Sequence, residues 1–156
     1  MSTILKGSVI AALLLAAAPA IAQDEEVPYW ASIRSEVVNM RVGPAVTYRI
    51  DWVYRREGLP MKVIRREEGW RLVQDPDGAQ GWVLGRFLSR TRTAIVQGDD
   101  VAGMYAGEKG TGGVVWRLEP GVVVVLDDCD SGWCRVKLNE RAGFIAQKHL
   151  WGTGEP

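Results

Sequence analysis

Few residues of this chain have types and spacing suited to covalent or metal chemistry. Cys129 and Cys134 stand in the stretch CDSGWC, and His149 is the single histidine of 156 residues. A Cys134–His149 couple has the composition of a thiol hydrolase, which needs a low-pKa thiolate beside an oriented base. No helix start that would carry such a nucleophile is visible. The same three residues lack the paired spacing and the fourth ligand of a zinc site. Asp99 and Asp100, like Asp127, Asp128 and Asp130, lack the loop pattern of a calcium site and read as turn residues. No phosphate-cradling glycine loop is present. The expectation is therefore a protein that is not an enzyme, with no metal and no cofactor.

The better-furnished chemistry is recognition by aromatic and charged side chains. Tyr48, Trp52 and Tyr54 are candidates for an aromatic groove floor that takes an extended peptide, because aromatic faces bury much area at little cost. Trp52 reads more readily as core and Tyr48 as surface. Trp82 reads as core and Trp70 as partly exposed, while Trp30 and Trp151 would staple the termini or cover an interface. Asn39 and Arg41 read first as residues that order a loop by side-chain to backbone hydrogen bonds, and second as ligand contacts. Arg55, Arg56, Lys62, Arg65 and Arg66 form a basic run interleaved with Glu57, Glu67 and Glu68. That is a solvated strand face or a patch for an anionic wall polymer, and it lacks the unbroken charge of a nucleic-acid track.

The N-terminus reads as an export signal. Lys6 precedes an apolar run from Val9 to Ala18, and Ala20 and Ala22 are the small residues that a signal peptidase accepts before a cut after Ala22. The run is about half of the ~20 residues that a spanning helix needs. No cysteine ends it, so no lipid attachment is expected. Residues 1–22 are thus expected to be removed, leaving 134 of the 156 residues with no membrane span, in the periplasm or secreted. Those 134 residues carry 18 basic and 19 acidic side chains, a balance with no general pull toward nucleic acid. Export makes a Cys129–Cys134 disulfide the first reading, with the DSG turn bringing two strands together; two free thiols are the alternative.

The elements that would position these residues are short strands. Apolar residues come in runs of two to four between the turn signals REG, EEG and DPDG, and no window keeps a helical period. Asp75-Pro76-Asp77-Gly78 suits a type I turn, and EEG and DSG suggest three-residue hairpins with Gly last. GRFL and QKHL read as short 3₁₀ turns. The chain also repeats. Met40 and Met104, Gly43 and Gly107, and Trp52 and Trp116 are each 64 apart; Gly58 and Gly121, Gly69 and Gly132, and Trp70 and Trp133 are 63 apart; Gly81 and Gly143, and Leu88 and Leu150, are 62 apart. One module is written twice. Each copy is near the lower size limit for independent folding, so the two should pack together, with 91–100 as a short β-rich connector.

The stretch NMRVGPAVTYRI resembles the opening of bacterial SH3-like domains: Asn, apolar, Arg, any residue, Gly-Pro, a short loop, then Tyr and an aliphatic. EEGWRLV and GAQGWVLGRFL resemble their second half. DWVYRREGLP with DPDGAQGWV resembles the exported tandem members of Gram-negative bacteria, over about residues 31–152, and LEPGVV with CDSGWCRV resembles their second repeat, cysteine pair included. The resemblance implies an all-β fold of two small SH3-like β-barrels, each of about five or six strands, packed together after a cleaved signal peptide. It implies 23–30 as a disordered leader, 31–95 as the first domain and 96–152 as the second. The wider family serves cell-wall hydrolases and envelope proteins as a targeting or peptide-binding accessory. The implied function is a non-enzymatic exported module that recognises a peptide, peptidoglycan or an envelope protein. An envelope scaffold or chaperone-like protein acting through the two-module surface is the alternative. Where the first copy has Asn39, Arg41 and Pro44, the second has Gly103, Tyr105 and Glu108, so binding is expected in the first copy. Its expected site residues are Asn39, Arg41, Tyr48, Tyr54 and Trp70.

Overall fold

A computed structural model describes residues 26–156; the expected signal peptide and residues 23–25 of the expected leader lie outside them. The first half contains β1 (Tyr29–Ile33), β2 (Val38–Arg41), β3 (Ile50–Tyr54), β4 (Pro60–Glu67), β5 (Trp70–Gln74), β6 (Gln80–Leu84) and β7 (Leu88–Ser89). They form one antiparallel sheet in the order β3-β2-β6-β5-β4-β1-β7. The second half contains β8 (Thr93–Val96), β9 (Ala102–Tyr105), β10 (Val114–Leu118), β11 (Val123–Asp130), β12 (Trp133–Leu138), β13 (Arg141–Ala146) and β14 (Leu150–Trp151). Its order is β10-β9-β13-β12-β11-β8-β14, the same permutation advanced by seven strands. The fold is all-β, and the repeat seen in the sequence is a repeat of topology.

Two expectations change at the module edges. The leader was expected to extend to residue 30, but Tyr29 already opens β1, because the backbone from Tyr29 to Ser32 pairs with β4. The stretch 91–100 was expected to be a short β-rich connector; it does carry a strand, but that strand, Thr93–Val96, is β8, the counterpart of β1 within the second module, pairing with both β11 and β14. Only residues 90–92 join the two sheets.

Each module has its own core. Ile33, Val38, Met40, Met61, Val63, Val73 and Val83 fill the first, and Val96, Met104, Val124, Val136 and Ile145 fill the second. Alternation along β4 and β12 points one face of each strand inward, the period-two pattern of a half-buried strand. The repeated Gly-Met pairs have a steric cause. A Cβ on Gly81 would sit 2.5 Å from Met40 Cγ, and one on Gly143 would sit 2.7 Å from both Met104 Cγ and the Tyr105 carbonyl.

The hairpins are tighter than expected. Glu67 pairs with Trp70 and Asp130 with Trp133, so two residues, not three, make each turn. Ser131 and Gly132 have φ of 49° and 81°, the positive values that a two-residue type I′ turn requires at both positions. Asp75-Pro76-Asp77-Gly78 closes as expected: the Gly78 amide donates to the Asp75 carbonyl at 3.0 Å, and Asp75 Oδ1 accepts from the amides of Asp77 and Ala79. The 3₁₀ turns fall at Gly85–Phe87 and Gln147–His149.

The modules pack on each other. Ile95 and Val123 of the second half lie against the first core. Trp30 and Trp151 meet edge to face at 4.8 Å, and the Trp30 indole N–H donates to the Gly154 carbonyl at 3.0 Å. These two tryptophans tie the N-terminal strand to the C-terminal one. Arg92 donates to the Gly152 carbonyl at 3.1 Å; burial, and then neighbouring Arg90, hold its guanidinium below the ordinary arginine pKa.

Candidate functional site

In the first module, the expected site residues divide into two groups. Arg41 and Tyr48 meet at the long loop 42–49, and Asn39 stands nearby in sequence within β2. Arg41 Nη1 donates to the Tyr48 carbonyl at 2.6 Å, and the Tyr48 ring lies on Gly43, where a Cβ would come within 2.6 Å of the ring. Arg41 therefore orders the loop, and Gly43 is needed because the ring leaves no room for a side chain. Asn39 is exposed on β2, and Tyr48 remains 47% exposed.

Tyr54 and Trp70 do not join that surface. Tyr54 pairs with Val38 on the inward face and is only 5% exposed; its hydroxyl donates to Asp75 Oδ2 at 2.9 Å and reaches Met40 Sδ at 3.4 Å. Burial first, then the hydrogen bond to Asp75 and its charge, push this phenol well above its ordinary pKa. Tyr54 is a core residue rather than a groove floor. Trp70, expected to be partly exposed, is buried at 9%, because it heads β5 between β4 and β6. Trp52, expected in the core, is 59% exposed: it stands opposite Met40, but β3 is the outermost strand and nothing covers it. Trp82 is buried as expected, with the Arg65 guanidinium 5.5 Å from its ring centroid.

The second module holds a shallow cleft of about 60 Å³ at the corresponding place. Trp133 opens β12 and meets Tyr105 of β9 edge to face at 5.7 Å. Phe144 of β13 pairs with both Tyr105 and Arg135. The loop turn Glu108–Gly110 forms one wall: Gly110, at φ 78°, lies so close to Trp133 that a Cβ would fall 2.8 Å from its ring. The hairpin carrying Asp128 and Asp130 forms the other wall. Where Arg41 and Tyr48 hold the first loop, the second is held by a backbone hydrogen bond and by the Thr111 hydroxyl. Gly107 N–H donates to the Thr111 carbonyl at 2.9 Å, and the Thr111 hydroxyl donates to the Glu108 carbonyl at 2.8 Å.

This cleft was not expected from the sequence. The motif NMRVGP drew attention to the first copy, yet its Arg41 is turned to the Tyr48 carbonyl and orders the loop. The available signal was the set Tyr105, Trp133 and Phe144, three aromatics at equivalent strand positions in a copy that had lost the loop motif.

Cys129 and Cys134 face each other across the same hairpin in a disulfide, the first reading from the sequence, and no described cysteine is free. The bridge clamps the strands that carry Asp128, Asp130 and Trp133. Among the described residues, no group of three or more His, Cys, Asp or Glu side chains is arranged to hold a metal ion. Among them, too, no helix is long and apolar enough to cross a membrane.

Two seven-stranded sheets of identical order, each with a loop wall, a tight hairpin and a closing 3₁₀ turn, define a tandem small β-module protein. The bacterial SH3 domain profile matches residues 34–89 and again 98–152, and the chain belongs to that family. A curated protein of Bacillus subtilis (strain 168), "Putative N-acetylmuramoyl-L-alanine amidase YrvJ", is 21% identical over 134 residues, covering 80% of this chain and 26% of its own length. The chain thus spans about a quarter of that relative. Among solved structures, NlpC1 from Trichomonas vaginalis is 15% identical with a TM-score of 0.37, over 83% of this chain and 47% of its own. NlpC2 from the same organism is 13% identical with a TM-score of 0.37, over 82% and 49%.

Proposed function

We propose that this protein is a non-enzymatic recognition module of the bacterial cell envelope, exported to the periplasm or secreted, and that it binds a peptide, foremost a stem peptide of peptidoglycan. The observation that carries the reading is the second-module cleft, a small hollow of about 60 Å³ in which Trp133 and Phe144 stand among the charged side chains Glu108, Lys109, Asp128, Asp130 and Arg135. Membership of the bacterial SH3 family supports it, as does a relative named as acting on N-acetylmuramoyl-L-alanine. The disulfide fits an oxidising compartment.

A second reading, an envelope scaffold that meets a protein partner, has one observation in its favour. Val46, Tyr48, Ile50 and Trp52 leave an exposed apolar surface along the first module's loop and edge strand. Co-sedimentation of the mature chain with purified peptidoglycan sacculi separates the two. Sacculus binding that Trp133→Ala removes, and that Arg41→Ala with Tyr48→Ala leaves intact, supports the cleft. Binding lost only in the Arg41, Tyr48 variant moves the site to the first module, and no binding by folded wild type refutes peptidoglycan as the ligand.

A further inference from the structure

The two modules carry the same cleft position with opposite charge. In the first, Arg65 lies over the Trp82 ring at 5.5 Å and pairs with Glu67 at 3.2 Å. Arg66 pairs with Arg71 across that hairpin as Cys129 pairs with Cys134 across the other. Arg65 therefore corresponds to Asp128, each one residue before those pairs. Trp82 corresponds to Phe144, since it pairs with Arg41 as Phe144 pairs with Tyr105. The first module covers its aromatic floor with a cation of its own chain, whereas the second sets a carboxylate beside an open floor.

The remaining charges strengthen the contrast. Glu108, Asp128 and Asp130 line the second cleft against Lys109 and Arg135. Arg135 is drawn toward Asp127, Nε to Oδ2 at 3.7 Å, and Asp128 takes part in no ion pair among the described residues. An anionic ligand would meet three carboxylates. A cation would meet these carboxylates beside Trp133 and Phe144, with Lys109 and Arg135 as the opposing charges, and aromatic faces attract cations through their quadrupole.

We propose that the second-module cleft binds a cationic group of a peptide, an amino-bearing side chain or terminus, at the place where the first module holds Arg65. This rests on the reading of the cleft as a peptide site and adds the chemistry that selects its occupant.

The test is an NMR titration of the ¹⁵N-labelled mature chain with Nα-acetyl-lysine N-methylamide and, separately, with its neutral Nε-acetyl counterpart. The charged probe is expected to shift the Trp133 indole and Gly110 amide signals, and the neutral one to bind about tenfold more weakly or less. Asp128→Arg, which copies the first module, is expected to abolish the response with a dispersed spectrum retained; Asp128→Asn gives the same direction if the arginine disturbs folding. Equal responses to both probes, a response mapping outside the cleft, or none at all overturns the proposal. Sacculus binding with a silent lysine probe would refute the cationic selectivity alone, whereas a lysine response without sacculus binding would refute peptidoglycan alone.

Discussion

Replacing Tyr54 by Phe removes one hydroxyl from the first core and tests why that core tolerates a buried acid. Asp75 is 6% exposed; its Oδ1 accepts from two backbone amides of the DPDG turn, and its Oδ2 accepts from Tyr54 at 2.9 Å. Hydrogen bonds to charged groups contribute about 1.5–3 kcal/mol, and an acceptor stripped of its buried partner costs desolvation as well. Tyr54→Phe is therefore expected to lower stability by about 2 kcal/mol in denaturant unfolding at pH 7. The second module shows the alternative: Leu118 and Leu138 occupy the positions of Tyr54 and Asp75, an apolar pair where the first has a polar one. The pH dependence gives an independent arm. The folded phenol holds its proton well above the ordinary tyrosine range, so unfolding releases a proton once the pH passes about 10. The stabilisation is complete below that pH and is lost as pH rises toward the folded value, with a slope of up to about 1.4 kcal/mol per unit. The gap between wild type and Tyr54→Phe should thus narrow above pH 10. A variant within about 0.5 kcal/mol of wild type at pH 7, or a gap that stays constant to pH 11, would refute the role given to this pair.

Three further outcomes are expected. Gly143→Ala forces a methyl group against the Tyr105 carbonyl and Met104, and should cost about 1–3 kcal/mol in denaturant unfolding, more than Gly69→Ala, whose Cβ meets nothing within 4 Å. Cys129→Ser with Cys134→Ser opens a short loop and should lower stability by about 2 kcal/mol, read by thermal unfolding without reductant. Trp30→Ala removes the contact with Trp151 and the hydrogen bond to Gly154, and should separate the two modules' unfolding in calorimetry, a single transition becoming two.

The architecture was legible because its signals are local and repeated. Gly and Trp at turns and strand starts recur at a nearly constant spacing, and some of the glycines have a steric cause in the structure, as at Gly81 and Gly143. The placement of aromatic residues was less legible. Trp52 and Tyr54 lie two residues apart, yet one is exposed and the other buried, because exposure depends on which strand ends the sheet and on a register shift near Arg41. Neither is encoded within ten residues of sequence. The candidate site was missed for the same reason. Tyr105, Trp133 and Phe144 converge through pairings between three strands, and their proximity appears only once β9, β12 and β13 are assembled.

The central claim is that recognition belongs to the second module's aromatic cleft. Its most direct test maps the amide signals of the labelled mature chain during titration with soluble muropeptides released from purified sacculi. Saturable shifts concentrated at Gly110, Trp133, Arg135 and Phe144 are predicted. Shifts confined to residues 42–52 of the first module, or a spectrum unchanged at saturating muropeptide, would contradict it.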